Sequence, residues 1–462
     1  MHHQEEGATF LTEGRAGLLA FEQGLGKTLV AIAAFSRLLA DGRAERLLVI
    51  CPNSLKRNWQ AEIAKFAPEL STEIAEGPPR TRRRTFARSR ARVVITSYET
   101  ARVEVTAVLA FLHAARVVLV LDESHAAKNW QSLTSTAVRH FAPHSEYRWL
   151  LSGTPVTNSP ADIFAQVEVL APGQHALGSL ESFLHRVEDD PSAGFARPVL
   201  DRLVLRRTKE QCLDLPEKSF SDVLVELPPW QRKLYDEMRD HMVASIKAMS
   251  GDEYQAFAST ALAQLTRLSQ LASNPALLLP TETGDPAKFE ALESLVSDVL
   301  STPGRKVIIW SNYVKNIETL VSRLSRFGVV AIYGAVDVND RQPIAEKFQK
   351  DDKTRVLVAN AAAAGTGFTL TAASFTIYES TSWRFDHYAQ SQDRNHRIGQ
   401  SQPVSYIRLI AEDTIDEVIA TALERKRNMA STLLSDGEGG ISLSRLTAAE
   451  MCTLIAENKL PE

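Results

Sequence analysis

Short runs of β-branched and aliphatic residues alternate with helix-period stretches along this chain, and the alternation occurs twice. In the first half the apolar runs are Gly17 to Phe21, Arg46 to Cys51, Arg92 to Thr96, Arg116 to Asp122 and Arg148 to Ser152. Runs such as "RVVLVLD" are apolar at nearly every position, the pattern of strands buried on both faces of a parallel sheet. The second half repeats the theme at 305–310, 329–333, 355–359, 374–379 and 403–410. The expected fold class is therefore α/β, with two parallel-sheet domains. Between them, from Pro228 to Leu279, no strand-like run occurs, and Leu234, Met238, Met242 and Ile246 recur at i+4 spacing. That segment is predicted helical, with its Met-bearing stripe packing a core. Asp413 is placed to cap a helix carrying Ile415, Val418, Ile419, Ala422 and Leu423 on one face. The resulting division is 1–226, a first α/β domain; 227–284, a helical insertion; 285–434, a second α/β domain; and 435–462, a linker with "SDGEGG" at 435–440 and a short tail.

Composition narrows the class. With 44% hydrophobic and 23% charged residues the chain reads as globular, and no run reaches the ~18 apolar residues of a membrane span. The opening "MHHQEEGATF" is too acidic for a signal peptide, and Cys51, Cys212 and Cys452 form no C-x-x-C pair. A reduced, cytoplasmic protein without a membrane partner is expected. Its 52 Lys and Arg against 56 Asp and Glu leave a net charge of −4, so any nucleic-acid binding has to rest on local clusters.

The first candidate chemistry follows the strand "GLLAF". In "EQGLGKT", Gly24, Leu25, Gly26, Lys27 and Thr28 open the helix "LVAIAAFSRLLA". Glycines let backbone N–H groups approach phosphate oxygens, the helix N-terminus adds partial positive charge, Lys27 can reach β- and γ-phosphates, and Thr28 can ligate Mg²⁺. One departure stands out: the full G-x-x-x-x-G-K-T pattern wants glycine at position 21, where this chain has Phe21. The second element is "VVLVLDESH", which ends a buried apolar strand in two carboxylates that have no packing reason to be there. Asp122 can hold Mg²⁺ and Glu123 can orient and deprotonate an attacking water.

Taken in order, "GLGKT", "CPNSLKRNWQAEI" (51–63), "VITSYET" (94–100), "DESH" (122–125), "LSGTPVTN" (151–158), "LRRTKE" (205–210), "KVIIWSNY" (306–313), "YGAV" (333–336), "GTGFTLTAAS" (365–374) and "QSQDRNHRIGQ" (390–400) resemble the Swi/Snf-type ATPases, a branch of helicase superfamily two. The resemblance covers residues 1 to about 433. It implies two RecA-like lobes with a helical insertion between them, ATP in the cleft between the lobes and double-stranded DNA lying across both. Gln390, Arg394 and Arg397 fall at i, i+4 and i+7, so they can share one face of a helix, and the resemblance gives the arginines the finger role on the γ-phosphate. It further assigns Ser152, Gly153, Thr154, Gly365 and Gly367 to coupling between nucleotide state and DNA grip, and Thr371 to the DNA backbone. Gln4 resembles the glutamine that reads adenine. Departures from the family pattern include Ser124 for Gly, Thr369 for Asn and Ala362 for Arg.

Arg80, Arg82, Arg83, Arg84, Arg88, Arg90 and Arg92 place seven arginines in thirteen residues with no acid among them; without these seven the net charge of −4 becomes −11. They are either phosphate contacts or a solvated helix face. Lys56, Arg57 and Tyr98 lie in the segments expected near a DNA track, whereas Trp59 is expected to pack its helix onto the domain. No base-reading motif is visible. The function expected is an Mg²⁺-dependent ATP hydrolase that translocates on double-stranded DNA as a monomeric motor core. The alternatives are a strand-separating or annealing helicase on DNA or RNA, and an ATP-switched subunit of a larger repair, defence or remodelling assembly with protein partners.

Overall fold

The computed structural model describes residues 1–153, 161–190, 193–279, 284–363, 368–432 and 447–458. The chain forms two compact units, one built on Met1–Asp214 and the other on Leu215–Arg427, with the helix Ala448–Glu457 belonging to the second. Among the described residues no helix is long and apolar enough to cross a membrane.

The first unit contains β1 (Ala16–Phe21), β2 (Arg46–Cys51), β3 (Thr72–Ile74), β4 (Val93–Ser97), β5 (Val117–Asp122), β6 (Tyr147–Leu151) and β7 (Val204–Arg207). They make one parallel sheet in the order β3-β4-β2-β5-β6-β1-β7. Successive side chains of a strand point to opposite faces, and helices cover both faces, so neighbours in sequence feed different cores. Leu48, Ile50, Leu119 and Leu121 join one apolar cluster, while Leu47, Val49, Val118 and Val120 join the other. This is why the strands read as unbroken apolar runs.

The second unit contains β8 (Lys218–Val225), β9 (Val307–Trp310), β10 (Val329–Ile332), β11 (Val356–Ala359), β12 (Phe375–Tyr378) and β13 (Val404–Ala411), also all parallel, in the order β10-β11-β9-β12-β13-β8. The two-domain α/β class expected from the pattern is thus the observed one. The expected boundary at 226 is not: β8 pairs along its whole length with β13, from Lys218 against Val404 to Val225 against Ala411, so the division falls between Asp214 and Leu215. An exposed edge strand such as "KSFSDVLV" lacks the doubly buried apolar signature, and its assignment rests on its pairing partner.

The helical segment between the sheets folds as Pro229–Ala248 and Gly251–Ser273. It is part of the second unit, where Tyr235, Met242, Ile246, Leu265 and Leu268 share a core with Ile415 and Val418. Met242 and Ile246 of the expected stripe are buried, and Met238 packs beside them. The helix Ile415–Thr432 is not capped by Asp413. Asp413 has φ 50, and the Thr414 hydroxyl accepts the Asp416 amide at 3.2 Å while the Glu417 carboxylate accepts the Asp413 amide at 2.9 Å. A left-handed residue lets the strand β13 turn sharply into the helix, which shifts the capping hydroxyl one position on. The short tail supplies Met451, Leu454 and Ile455 to the same core. The stretch 435–440 lies outside the described residues.

Leu454→Ala removes a fully buried side chain from that core. It should lower the unfolding free energy by about 2–5 kcal/mol, read as a lower urea midpoint at unchanged m-value.

Candidate functional site

In a parallel sheet, the loops after the strands converge at the strands' C-terminal edge. In the first unit, β5, β6 and β1 are consecutive, so three of the sequence motifs leave the sheet side by side: Asp122 from β5, Ser152 and Gly153 after β6, and the glycine loop after β1. Gly26 (φ 82) caps the helix Lys27–Ala40 in the left-handed region, and a Cβ there would fall 2.4 Å from Gln4 Nε2. Glycine is required on both counts. Lys27 is buried, with Nζ donating to the Phe21 carbonyl at 2.8 Å and reaching the Glu22 carbonyl at 3.5 Å. A Cβ added to Gly153 would lie 3.5 Å from Lys27 Nζ, so this loop too is built for close approach. Thr28 follows as the second residue of the helix.

Phe21, the departure from the usual loop pattern, is buried, and its ring meets His3 edge-on at 5.9 Å. His3 Nε2 lies 3.1 Å from the Leu25 carbonyl, and Gln4 Nε2 donates to the same carbonyl at 3.3 Å. The N-terminal helix His2–Gly14 is thereby fastened to the loop through Phe21 and Leu25. On the other flank, β7 pairs with β1, and the Lys209 amide donates to Glu22 Oε2 at 2.9 Å, which brings "LRRTKE" against the same loop.

Asp122 is enclosed. Its Oδ2 accepts the Trp59 indole N–H at 2.7 Å, its Oδ1 accepts the Glu123 amide at 2.9 Å, and its carbonyl accepts the Tyr98 hydroxyl at 2.8 Å. Burial pushes the Asp122 carboxyl up to about 6; the neighbouring Glu123 charge adds to this, while the Trp59 hydrogen bond and the nearby Lys27 ammonium oppose it. The same burial drives the Tyr98 hydroxyl and the Cys51 thiol well above their ordinary values. Such a carboxylate is short of positive charge. It fits one protein ligand of Mg²⁺, an ion that usually takes one or two carboxylates and keeps water and phosphate oxygens for its remaining positions. Among the described residues no cluster of three or more His, Cys, Asp or Glu forms an all-protein metal cage.

Glu123 sits at φ 49, a strained conformation for a residue with a side chain, which turns the chain sharply out of β5. Its Oε2 lies 3.3 Å from His125 Nδ1, and the same nitrogen lies 3.4 Å from the Ser152 hydroxyl. His125 therefore links the acidic pair to the segment after β6. Ser124, in place of the more usual glycine, is buried and donates to Gln166 Oε1 at 2.8 Å.

The residues expected on a DNA track are placed differently from one another. Lys56 (2.9 Å) and Arg57 both pair with Glu76, and Arg57 remains largely exposed. Tyr98 is only 4% exposed and is spent on the Asp122 carbonyl, so its ring forms the wall behind the carboxylate rather than a nucleic-acid contact. Trp59 packs its helix as expected, but its second task, holding Asp122, was missed. A buried indole needs an acceptor, and that need was the available signal.

In the second unit the helix Phe385–Gln392 ends before the arginines, so Gln390, Arg394 and Arg397 do not share one helical face. The chain turns after Gln392, and Gly399 (φ 101) supplies a conformation closed to other residues. Asn395 drives the turn inward: it is buried, donates to Thr376 Oγ1 at 3.0 Å and accepts from the Tyr406 hydroxyl at 3.0 Å. Period-3.6 counting could not see these long-range side-chain contacts. The turn packs on the 368–373 segment. Leu370 N donates to the Arg394 carbonyl at 2.8 Å, Arg397 Nη1 to the Phe368 carbonyl at 3.4 Å, and Gln400 Nε2 to the Thr371 carbonyl at 3.1 Å. Arg394 is buried, and the Thr371 hydroxyl accepts from Gln349 at 2.9 Å. Thr154, Gly365 and Gly367 lie outside the described residues.

Two domain families match the chain: the SNF2-related domain over residues 3–277, and the helicase conserved C-terminal domain over residues 287–399. This chain belongs to the SNF2-related family. An uncharacterized ATP-dependent helicase of Mycoplasma pneumoniae is 30% identical over 94% of this chain and 42% of its own length. The putative ATP-dependent helicase/translocase YwqA of Bacillus subtilis is 30% identical over 97% of this chain and 50% of its own. The DNA annealing helicase and endonuclease ZRANB3 of Bos taurus is 27% identical over 94% and 40%. The chain thus spans half or less of these relatives. The family resemblance read from the ordered motifs is borne out. In this SNF2-related chain, Phe21 and Ser124 are accommodated by specific contacts, with the His3 ring and with Gln166 respectively.

Trp59→Phe keeps one aromatic ring of the buried indole and removes the donor to Asp122. We expect a destabilisation of about 1–3 kcal/mol from the carboxylate left without this donor, beyond the loss from the smaller ring, measured as a lower urea midpoint. An unchanged urea midpoint would show that the Trp59 hydrogen bond does not hold Asp122.

Proposed function

We propose that this chain is an ATP-driven motor that hydrolyses ATP with Mg²⁺ and moves along double-stranded DNA. The observation that carries the reading is the convergence, at one sheet edge, of the Lys27 loop, the Ser152–Gly153 segment and the Asp122–Glu123 pair. The relatives' names, an ATP-dependent helicase/translocase and a DNA annealing helicase, support the choice of nucleotide and polymer.

In this reading, the amides of Gly24 to Thr28 and the end of the helix Lys27–Ala40 bind the phosphates, and Lys27 exchanges the Phe21 and Glu22 carbonyls for phosphate oxygens. Gln4, held against Leu25, faces the adenine. Thr28 and Asp122 are the ligands for Mg²⁺, which supplies charge neutralisation at the phosphates. Glu123, oriented by its left-handed backbone, positions and deprotonates the attacking water. His125 holds the Glu123 carboxylate and, through the Ser152 hydroxyl, ties it to the coupling segment. Of Gln390, Arg394 and Arg397, the half-buried Arg397 is the candidate for stabilising transition-state charge, since Arg394 is buried in its turn.

Lys27→Ala should abolish turnover, and Glu123→Gln should keep nucleotide binding while lowering hydrolysis by about 10²–10⁴. Arg397→Ala should cost on the order of 10³ or more in kcat. The decisive measurement is the ATPase rate against duplex DNA, single-stranded DNA and RNA, with triplex displacement and strand displacement run beside it. Stimulation by duplex with release of a third strand is expected. A rate indifferent to duplex would sink the motor reading, and parting of the duplex would replace translocation by strand separation.

A further inference from the structure

Five of the ten residues in the helix Pro79–Arg88 are arginines, and they are not equivalent. The buried side of the helix is Thr85, donating to Glu73 at 2.9 Å, and Phe86, edge-on to Phe111. Arg82 and Arg83 reach the buried Glu104 carboxylate at 2.8 and 2.7 Å. These two arginines hold the helix to the unit. Arg80, Arg84 and Arg88, at i, i+4 and i+8, lie on one other face, and Arg90 follows just past the helix. All four are exposed, and among the described residues none of them meets an acid or an acceptor.

That face opposes folding. Like charges four apart repel by about 0.2–0.5 kcal/mol per pair, and Arg80 sits in the first turn, where the helix dipole favours an acid. No acidic residue occurs between Gly77 and Arg92 to offset this. The helix connects β3 to β4, so it starts at the same sheet edge as the Lys27 loop and runs back along the sheet. Because β3 lies three strands from β5, the stripe begins roughly 14 Å to the side of Asp122. A ligand common to both places has to be an extended one.

We propose that Arg80, Arg84 and Arg88, with Arg90, form a second contact of the first unit with the phosphate backbone of a duplex, apart from the nucleotide-site edge. The inference rests on the reading of the chain as a DNA motor and adds a named binding surface to it. The three helical arginines span about 12 Å in steps of about 6 Å, and each strand of a duplex presents a phosphate every ~3.4 Å of axis. Guanidinium groups pair with phosphate in a bidentate manner, and no aromatic or amide side chain accompanies them on this face to read a base. The contact is therefore independent of sequence and steep in salt.

The test is binding of the whole chain to a duplex of about 30 base pairs by fluorescence anisotropy between about 50 and 200 mM salt. The variant R80Q/R84Q/R88Q leaves Arg82, Arg83 and Glu104 in place, and its melting temperature should equal or slightly exceed the parent's, since the repulsion between the three charges is removed. Its log K against log salt should lose about 2–3 units of slope, at roughly 0.9 per phosphate contact, with at least a tenfold weaker Kd at the low-salt end. The charge-keeping variant R80K/R84K/R88K should retain the slope. Equal slopes for parent and glutamine variant, with the parent binding duplex normally, would overturn this surface and leave the motor reading standing. A parent that binds no duplex at any salt would overturn both. Loss of poly-glutamate binding in the glutamine variant without loss of duplex slope would assign the face to an acidic protein segment instead and overturn the proposal.

Discussion

A carboxylate excluded from water must be surrounded by donors or cations, because leaving one unpaired in the interior costs several kcal/mol. Asp122 imposes that constraint on the first unit. Its two oxygens and its carbonyl take donors from three places in the chain: the helix after β2 through Trp59, the segment after β4 through Tyr98, and its own following amide. Each of those elements must therefore stand at the C-terminal edge of the sheet in one register. Trp59, which satisfies the carboxylate, and Tyr98, which satisfies the carbonyl beside it, are also large buried side chains, so the same contacts lock the packing as well.

The second unit solves a similar problem with Glu379, which follows β12 and is fully buried. Its carboxylate accepts from Ser273, from Asn316 at 3.2 Å, from Ser311 at 2.7 Å and from Ser380 at 2.8 Å. Ser273 ends the long helix of the interposed segment, Ser311 follows β9 and Asn316 lies in the next helix. Lys288 donates to the Glu379 carbonyl at 3.2 Å and pairs with Asp416. One carboxylate thus gathers the helical segment and two strand ends, which is a physical reason why that segment is part of the second unit rather than an independent insertion.

The arginine-rich helix shows how one run of like residues divides its labour. Net charge averages over Arg82 and Arg83, which neutralise a buried glutamate, and over their exposed neighbours, which neutralise nothing among the described residues. The mild overall acidity of the chain therefore conceals a local concentration of positive charge. Only the pairing pattern distinguishes structural guanidinium groups from available ones.

By itself, the sequence determined the fold class, the doubly buried strands and the identity of the loop and acidic pair. Apolar runs, glycines and strand-terminal carboxylates are local signals, and parallel α/β packing demands them wherever it occurs. Tertiary structure decided the rest. The edge strand β8 joined the second sheet because β13 offered a partner, a choice that no local pattern encodes. Arg394 and Arg397 left the helix because Asn395 found Thr376 and Tyr406, and Tyr98 turned inward because the Asp122 carbonyl needed a donor. Trp59 acquired its role at the site for the same reason. In each case the deciding energy is a long-range hydrogen bond or strand pairing between residues far apart in sequence, and periodicity, which reports only which face of an element is buried, carries no information about the partner on the other side.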